Sequence, residues 1–246
     1  MRHFACLVLV LFASCSYPAE PVCTTEDPAI RKRIGGVISG LLPQSSEGSY
    51  GRPAKLARRM ASYHTPGVSI AVVNNGAIEW ACGFGVREKG EPEPVTPETL
   101  FQAGSISKPI FALAVMRLVE EGKLDLDEDV NRRLTSWKVP PNGSWQPRIT
   151  LRQLLSHSAG LTVHGFPGYG VDEPIPTVVE VLNGQPPANT DPVRVDILPG
   201  VQFRYSGGGT TVAQQLVVDT LGKPFPQIAR ELVLDPRTRS GDGPRR

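Results

Sequence analysis

Cysteine is scarce in this sequence of 246 residues, and no two cysteines have the Cys-x-x-Cys spacing of a zinc or redox site. The four cysteines are Cys6, Cys15, Cys23 and Cys82. His157 and His164 have no acidic partner motif, so we predict that neither binds a metal. We therefore expect neither a metal nor another cofactor.

An excess of one charge is also absent, because 26 lysines and arginines are set against 24 aspartates and glutamates. Residues 237–246 hold four arginines and one aspartate, so the basic surplus lies in a tail rather than on a folded face. This distribution argues against nucleic acid as a partner. The hydrophobic content of 40% and the charged content of 20% are those of a globular protein.

Long hydrophobic runs are missing except near the N-terminus, where Phe4 to Ala13 form an apolar stretch of about ten residues. This stretch is too short to cross a bilayer and is followed by small residues, which predicts a signal peptide over residues 1–19. Cleavage after Ala19 would release a soluble protein. Alternatively, the residues that end at Cys15 (Phe-Ala-Ser-Cys) resemble a bacterial lipobox, and a lipidated Cys15 would anchor the chain to a membrane. Both routes predict an exported protein, whether periplasmic, membrane-anchored or secreted.

Proline is abundant, with 24 residues, which favours long loops and linkers. We predict a linker with room for a short helix over residues 20–51, a folded domain over 52–236 and a disordered basic tail over 237–246. In an exported chain a disulfide between Cys23 and Cys82 is an open possibility.

The predicted domain begins with an amphipathic helix over 53–63, followed by a β-hairpin. Its strands are predicted over 68–73 and 77–84, around an Asn-Asn-Gly turn. Two such strands require a larger sheet and a covering layer of helices.

The motif Ser105-Ile106-Ser107-Lys108 is the one Ser-x-x-Lys match in the chain. The residues after it are apolar almost all round, which predicts a buried helix that ends at Gly122. On a helix, Ser105 and Lys108 share one face with Cβ atoms about 5–6 Å apart. A serine hydroxyl needs a neighbouring base to become a nucleophile, and a lysine amine can supply it.

Tyr205 precedes three glycines, and this segment allows close approach of the backbone to a ligand. We predict that Gly104, Gly207 and Gly208 bind substrate. Beside a lysine, the pKa of Tyr205 would fall and the phenolate could act as a general base, the alternative being a ring that only packs.

His157 follows a short helix that Thr150 is predicted to cap. We favour a histidine that bonds backbone groups over a catalytic imidazole. Residues 162–200 read as a long functional or mobile loop, in which 165–170 could wall a binding cleft.

Three ordered blocks, at 101–108, 154–161 and 199–209, resemble the serine β-lactamase-related family of class C β-lactamases, D-Ala-D-Ala carboxypeptidases and esterases. The resemblance implies an α+β, β-lactamase/transpeptidase-like fold, with an antiparallel sheet flanked by helices and a mostly helical lobe. It also implies that Ser105 forms an acyl-enzyme, that Lys108 shuttles its proton and that Tyr205 is the acid/base. The Ser105 N–H would be one oxyanion donor, and the substrate would be a small ester, β-lactam or peptide.

Two departures from the family pattern shape the predicted activity. Gly207 occupies the place of the asparagine in Tyr-x-Asn, and loss of that amide weakens selection for amide substrates, which favours an esterase. No Lys-Thr-Gly or His-x-Gly triplet follows residue 236, so we expect a C-terminally truncated chain of weak or no activity. The alternatives are a β-lactamase or D,D-peptidase, and a non-catalytic ligand-binding descendant.

Overall fold

The computed structural model describes residues 20–42 and 52–235, and the chain divides into two compact units after Gln102. The predicted signal peptide and basic tail, with Cys15, lie outside the described residues. None of the helices within 20–42 and 52–235 has both the length and the apolar character needed to cross a bilayer.

The first unit is built on a three-stranded antiparallel sheet with strand order β1-β3-β2. The strands are β1 (Val22–Cys23), β2 (Gly67–Asn74) and β3 (Ala77–Gly85). The predicted hairpin is therefore confirmed, and it turns at Asn75 and Gly76, both of which have positive φ. Such a turn matches the twist of the flanking strands and explains why asparagine and glycine stand there.

Two helices accompany this sheet, α1 (Pro28–Ser39) and α2 (Leu56–Ser62). The Asp27 carboxylate caps α1 by accepting hydrogen bonds from two backbone N–H groups of its first turn. The apolar core of the unit joins the helices to β3 through Ile34, Leu56, Met60, Trp80 and Phe84. Within the predicted linker 20–51, the described part is thus folded into strand β1 and helix α1.

A disulfide joins Cys23 to Cys82, which face each other directly in the register of β1 and β3. It cross-links the N-terminal strand of the described chain to the central strand of the sheet. The possibility left open by the sequence is therefore realised in the structure.

The second unit is mostly helical. Its helices are α3 (Ser107–Glu120), α4 (Leu151–Leu155), α5 (Val178–Asn183), α6 (Gly207–Leu221) and α7 (Phe225–Ala229). A 3-10 turn at Gly104–Ile106 leads into α3, and a π-helical segment, Arg230–Leu234, continues α7. Thr150 caps α4 as predicted, in a capping box with Gln153. Helix α5 lies in the stretch predicted as one long loop, which corrects that prediction.

Helix α3 has one buried and one exposed apolar face. Phe111, Ala114, Val115 and Leu118 enter the core of the unit. Four apolar side chains are exposed on the other face and form a strip, here called the α3 stripe: Ile106 of the preceding 3-10 turn, and Ile110, Leu113 and Met116. The prediction of a helix buried all round is therefore wrong on this face.

Candidate active site

The Ser-x-x-Lys motif lies where the 3-10 turn passes into α3. Gly104 has a φ of 51°, and this left-handed residue sets the sharp entry into the turn. One helical turn then brings the Lys108 side chain back over Ser105, and Nζ donates a hydrogen bond of 3.0 Å to Oγ. The shared face predicted from the spacing is observed.

Tyr205 reaches the same serine from the segment before α6. Its hydroxyl donates to Ser105 Oγ at 2.8 Å, and Lys108 Nζ lies 5.1 Å from the centre of its ring. The next residue, Ser206, fixes this segment because its buried hydroxyl caps α6 at the Gly209 N–H and donates to the Thr162 carbonyl.

The neighbours of Tyr205 make its hydroxyl more acidic than that of a free tyrosine. Hydrogen bonding with Lys108 and then with Ser105 lowers the pKa of Tyr205 below its ordinary value of 10.0, because both partners stabilise the charged oxygen. Once Tyr205 has lost its proton, the bond to Ser105 reverses and the serine hydroxyl becomes the donor. The three side chains can therefore move a proton away from Ser105 Oγ.

His157 and His164 both lie against Tyr205. The ring centroids are 4.4 Å apart for His157 and 4.9 Å apart for His164. His157 Nδ1 accepts a hydrogen bond from the Ser206 N–H at 3.2 Å, which is the backbone-bonding role favoured from the sequence. The contact with His164 was not foreseeable from any motif, since the two residues are brought together by the fold alone.

The glycines predicted to bind substrate occupy different surroundings. Gly104 is exposed at the mouth of the site. The N–H groups of Gly207 and Gly208 donate to the carbonyls of His164 and Val163, so both amides serve the packing of α6. A Cβ atom at Gly207 would meet the His164 carbonyl oxygen at 3.1 Å and the Phe166 ring at 3.2 Å. A side chain at position 207 therefore requires these neighbours to give way by a few tenths of an ångström.

Two cavities of the second unit open beside the turn that carries Ser105 and Lys108. One, of about 450 Å³, is lined by Ser105, Lys108, Leu155, His157, Tyr205 and Thr210. The other, of about 470 Å³, is lined largely by apolar residues, among them Ile110 and Phe166. Phe166 thus belongs to the wall that the sequence predicted at 165–170.

This chain is similar in sequence to a known family and to a known esterase. A family model described as "Beta-lactamase" matches residues 53–242. Esterase EstB of Burkholderia gladioli is 36% identical over 95 residues, which is 39% of this chain and 24% of EstB.

Two solved structures are similar over most of this chain. The octameric penicillin-binding protein homologue from Pyrococcus abyssi has 30% identity and a TM-score of 0.60, covering 74% of this chain and 41% of that protein. EstCE1, a hydrolase with promiscuous acyltransferase activity, has 28% identity and a TM-score of 0.60, covering 74% and 49%. The chain spans less than half the length of each of these three relatives.

Proposed function

Because the chain belongs to the beta-lactamase family, which confirms the α+β, β-lactamase/transpeptidase-like fold expected from the sequence, we propose that it is a serine hydrolase acting through an acyl-enzyme on Ser105. The observation that carries this proposal is the convergence of Lys108 and Tyr205 on Ser105 Oγ, at 3.0 Å and 2.8 Å. A hydroxyl held by two proton-transfer groups is the arrangement that an activated serine requires.

In the proposed reaction, the Ser105 proton passes to the Tyr205 phenolate, with Lys108 shuttling it. Oγ forms a bond to the carbonyl carbon of the substrate, and the Ser105 N–H is the proposed donor to the developing oxyanion. The bond to the leaving group then breaks, and the leaving group takes the proton from Tyr205. Water repeats the sequence on the acyl-enzyme, which releases the acid and restores Ser105.

We propose an ester as the substrate in preference to an amide or β-lactam. Gly207 leaves no amide side chain to bind an acyl-amide, and Phe166 and the His164 carbonyl fill the space where one would project. Selectivity for amides depends on such a polar partner. The similarity to an esterase, EstB, supports the same choice.

The experiment measures hydrolysis of p-nitrophenyl esters and of nitrocefin, together with mass-spectrometric labelling of the active serine. We expect an adduct on Ser105 and weak ester turnover, in keeping with the activity anticipated from the sequence. Ser105→Ala should abolish the adduct and lower turnover by about 10³-fold or more. Ser62→Ala, an exposed serine of the first unit, is the matched control and should behave as wild type.

The other outcomes separate the alternatives. Turnover of nitrocefin without ester turnover would indicate a β-lactamase or D,D-peptidase. Failure of both reagents to acylate Ser105 would indicate a ligand-binding protein without catalysis.

We also propose that the protein is exported, either released by cleavage after Ala19 or anchored through a lipidated Cys15. The Cys23–Cys82 disulfide supports this proposal, because such bonds persist in oxidising compartments. Labelling of expressing bacteria with a palmitate analogue distinguishes the routes: incorporation lost in Cys15→Ala indicates the anchored form. Retention of the unprocessed chain in the cytoplasm would contradict export.

A further inference from the structure

His157 holds the backbone on both sides of Tyr205. Its carbonyl oxygen accepts a hydrogen bond from the Arg204 N–H at 2.8 Å, and its Nδ1 accepts one from the Ser206 N–H at 3.2 Å. The backbone N–H groups of the residues before and after Tyr205 are therefore both bound to one residue, which lies 48 positions before Tyr205 in the chain.

The imidazole also contacts the Tyr205 ring itself. The two ring centroids lie 4.4 Å apart with the planes inclined by 34°, so the phenol ring is supported along one side. Backbone and side-chain contacts together limit the motion of Tyr205 relative to the end of α4.

The backbone of His157 adopts a conformation that most side chains avoid. Its φ of 56° lies in the left-handed region, where asparagine, aspartate and histidine occur more often than other non-glycine residues. A strained residue of this kind persists only where its surroundings fix it, and it is a reason to look for a functional role.

We propose that His157 is a positioning residue, which as a neutral imidazole holds the Tyr205 hydroxyl against Ser105 Oγ. This proposal rests on the proposed function of the same site. The neutral form is required because an imidazolium carries a proton on both nitrogens and cannot accept from the Ser206 N–H.

The groups around the imidazole favour the neutral form. Burial lowers the pKa of His157 below 6.5, and the Lys108 charge on α3 lowers it further. The imidazole also contacts Tyr205, which in turn contacts His164, while the Arg204 guanidinium is paired with Asp196. Since the folded pKa is lowered, His157 stays neutral at neutral pH and loses the Ser206 bond only as the pH falls through that value.

The test compares His157→Ala with His157→Asn. Asparagine tolerates the positive φ, and its Oδ1 can accept from the Ser206 N–H, but it does not titrate. We expect His157→Ala to lower kcat by about 10²-fold with KM unchanged, because Tyr205 is misplaced. His157→Asn should restore most of kcat. His64→Asn, which replaces an exposed histidine of the first unit with a similar φ of 52°, is the matched control.

The pH profile supplies a readout that a merely structural role would not change. In the wild type, log kcat should fall with a steeper slope once the pH passes below the pKa of His157. In His157→Asn, log kcat should still fall in acid because Tyr205 becomes protonated, but the slope should not steepen further. Wild-type kcat and an unchanged acid limb in His157→Ala would overturn the proposal.

A measurement independent of turnover separates this proposal from the proposed function. Nitrogen-15 NMR of the histidine rings, assigned with His157→Asn, should show His157 Nδ1 without a proton at neutral pH. The phenolate titration of Tyr205, taken as the absorbance difference from Tyr205→Phe, should move back toward its ordinary pKa in His157→Ala. A protonated Nδ1 would overturn the positioning role of His157 even if the enzyme is active. If Nδ1 carries no proton but Ser105 is never acylated, the positioning role of His157 stands and the proposed hydrolase function is refuted.

Discussion

At the scale of single residues, Tyr205 has two properties that bear on catalysis. Its hydroxyl lies 2.8 Å from Ser105 Oγ, and its pKa is lowered by Lys108 and Ser105. Tyr205→Phe removes the hydroxyl that we propose as the proton-transfer group and keeps the ring. We expect kcat/KM for an ester to fall by about 10²–10⁴-fold, the usual contribution of general acid–base catalysis. Tyr63→Phe, at an exposed tyrosine, is the control. Equal losses in both variants would contradict the assigned role.

The same residue predicts a pH dependence with a definite sign. A general base must be unprotonated, so the rate should rise with pH and level off once the pH exceeds the pKa of Tyr205. Because that pKa lies below 10.0, the plateau should begin below pH 10. The measurement is kcat/KM for an ester as a function of pH. A value of kcat/KM that falls as the pH rises toward 10 would contradict this prediction.

The sequence predicts some of these residues and not others for a physical reason. Ser105 and Lys108 are three positions apart, so helical geometry alone brings them together. Tyr205 was identified through its glycine-rich neighbours, yet its approach to Ser105 depends on tertiary structure. The contacts of His164 with Tyr205 and of Phe166 with Gly207 have no local signal, because they join segments about 40 residues apart.

At the scale of elements, Asp219 and Gln215 of helix α6 hold the segment after α3, and the Gln215 amide donates directly to the Ser136 hydroxyl at 2.6 Å. Asp219 accepts hydrogen bonds from the N–H groups of Thr135 and Ser136, from the Ser136 hydroxyl and from the Gln215 amide. Burial alone would raise the pKa of Asp219, but these bonds outweigh it and lower the pKa below its ordinary value.

Asp219→Ala should therefore destabilise the protein by about 1–3 kcal/mol near neutral pH, because the donors lose a charged acceptor. The lowered pKa means that this contribution is present above the unfolded pKa and is lost as the pH falls through the folded one. Urea unfolding at neutral and acidic pH tests both statements, with Asp172→Ala on an exposed loop as control. A difference from wild type that persists unchanged in acid would contradict the assignment.

The two faces of α3 give a matched pair of substitutions. Leu118 is fully buried, whereas Leu113, in the α3 stripe, is 59% exposed. We expect Leu118→Ala to cost about 2–5 kcal/mol of unfolding free energy, the range for a buried leucine. Leu113→Ala should cost under about 1 kcal/mol, as for most surface changes. Similar losses in the two variants, measured by urea unfolding, would show that the stripe is covered in solution.

The elements differ in how well their sequences specify them. The hairpin β2–β3 was predicted because alternating residues and an Asn-Gly turn agree. Strand β1 has two residues, too few to show a period. Helix α5 is nearly as short as the predicted α4, and its one local signal is the capping-box spacing of Thr177 and Glu180, which the prediction of a long loop did not use. The exposure of the α3 stripe was not predicted for a different reason: an apolar helix sequence does not specify which of its faces the fold covers.

At the scale of the whole molecule, each unit has its own apolar core. The second unit has the larger one, which centres on α3, α4 and α6 and includes Leu118, Leu154 and Leu216. The first unit packs a few residues around Trp80 and adds the disulfide between Cys23 and Cys82. A small core is commonly supplemented by such a cross-link.

That cross-link makes residues 23–82 a closed covalent ring. A protease site inserted in the exposed turn between Asn75 and Gly76 would open the ring without releasing either piece. After cleavage, we expect one band of full size on a denaturing gel without reductant and two bands with it. Cys82→Ser should give two bands under both conditions. Separation of the wild-type pieces without reductant would show that the ring is not closed.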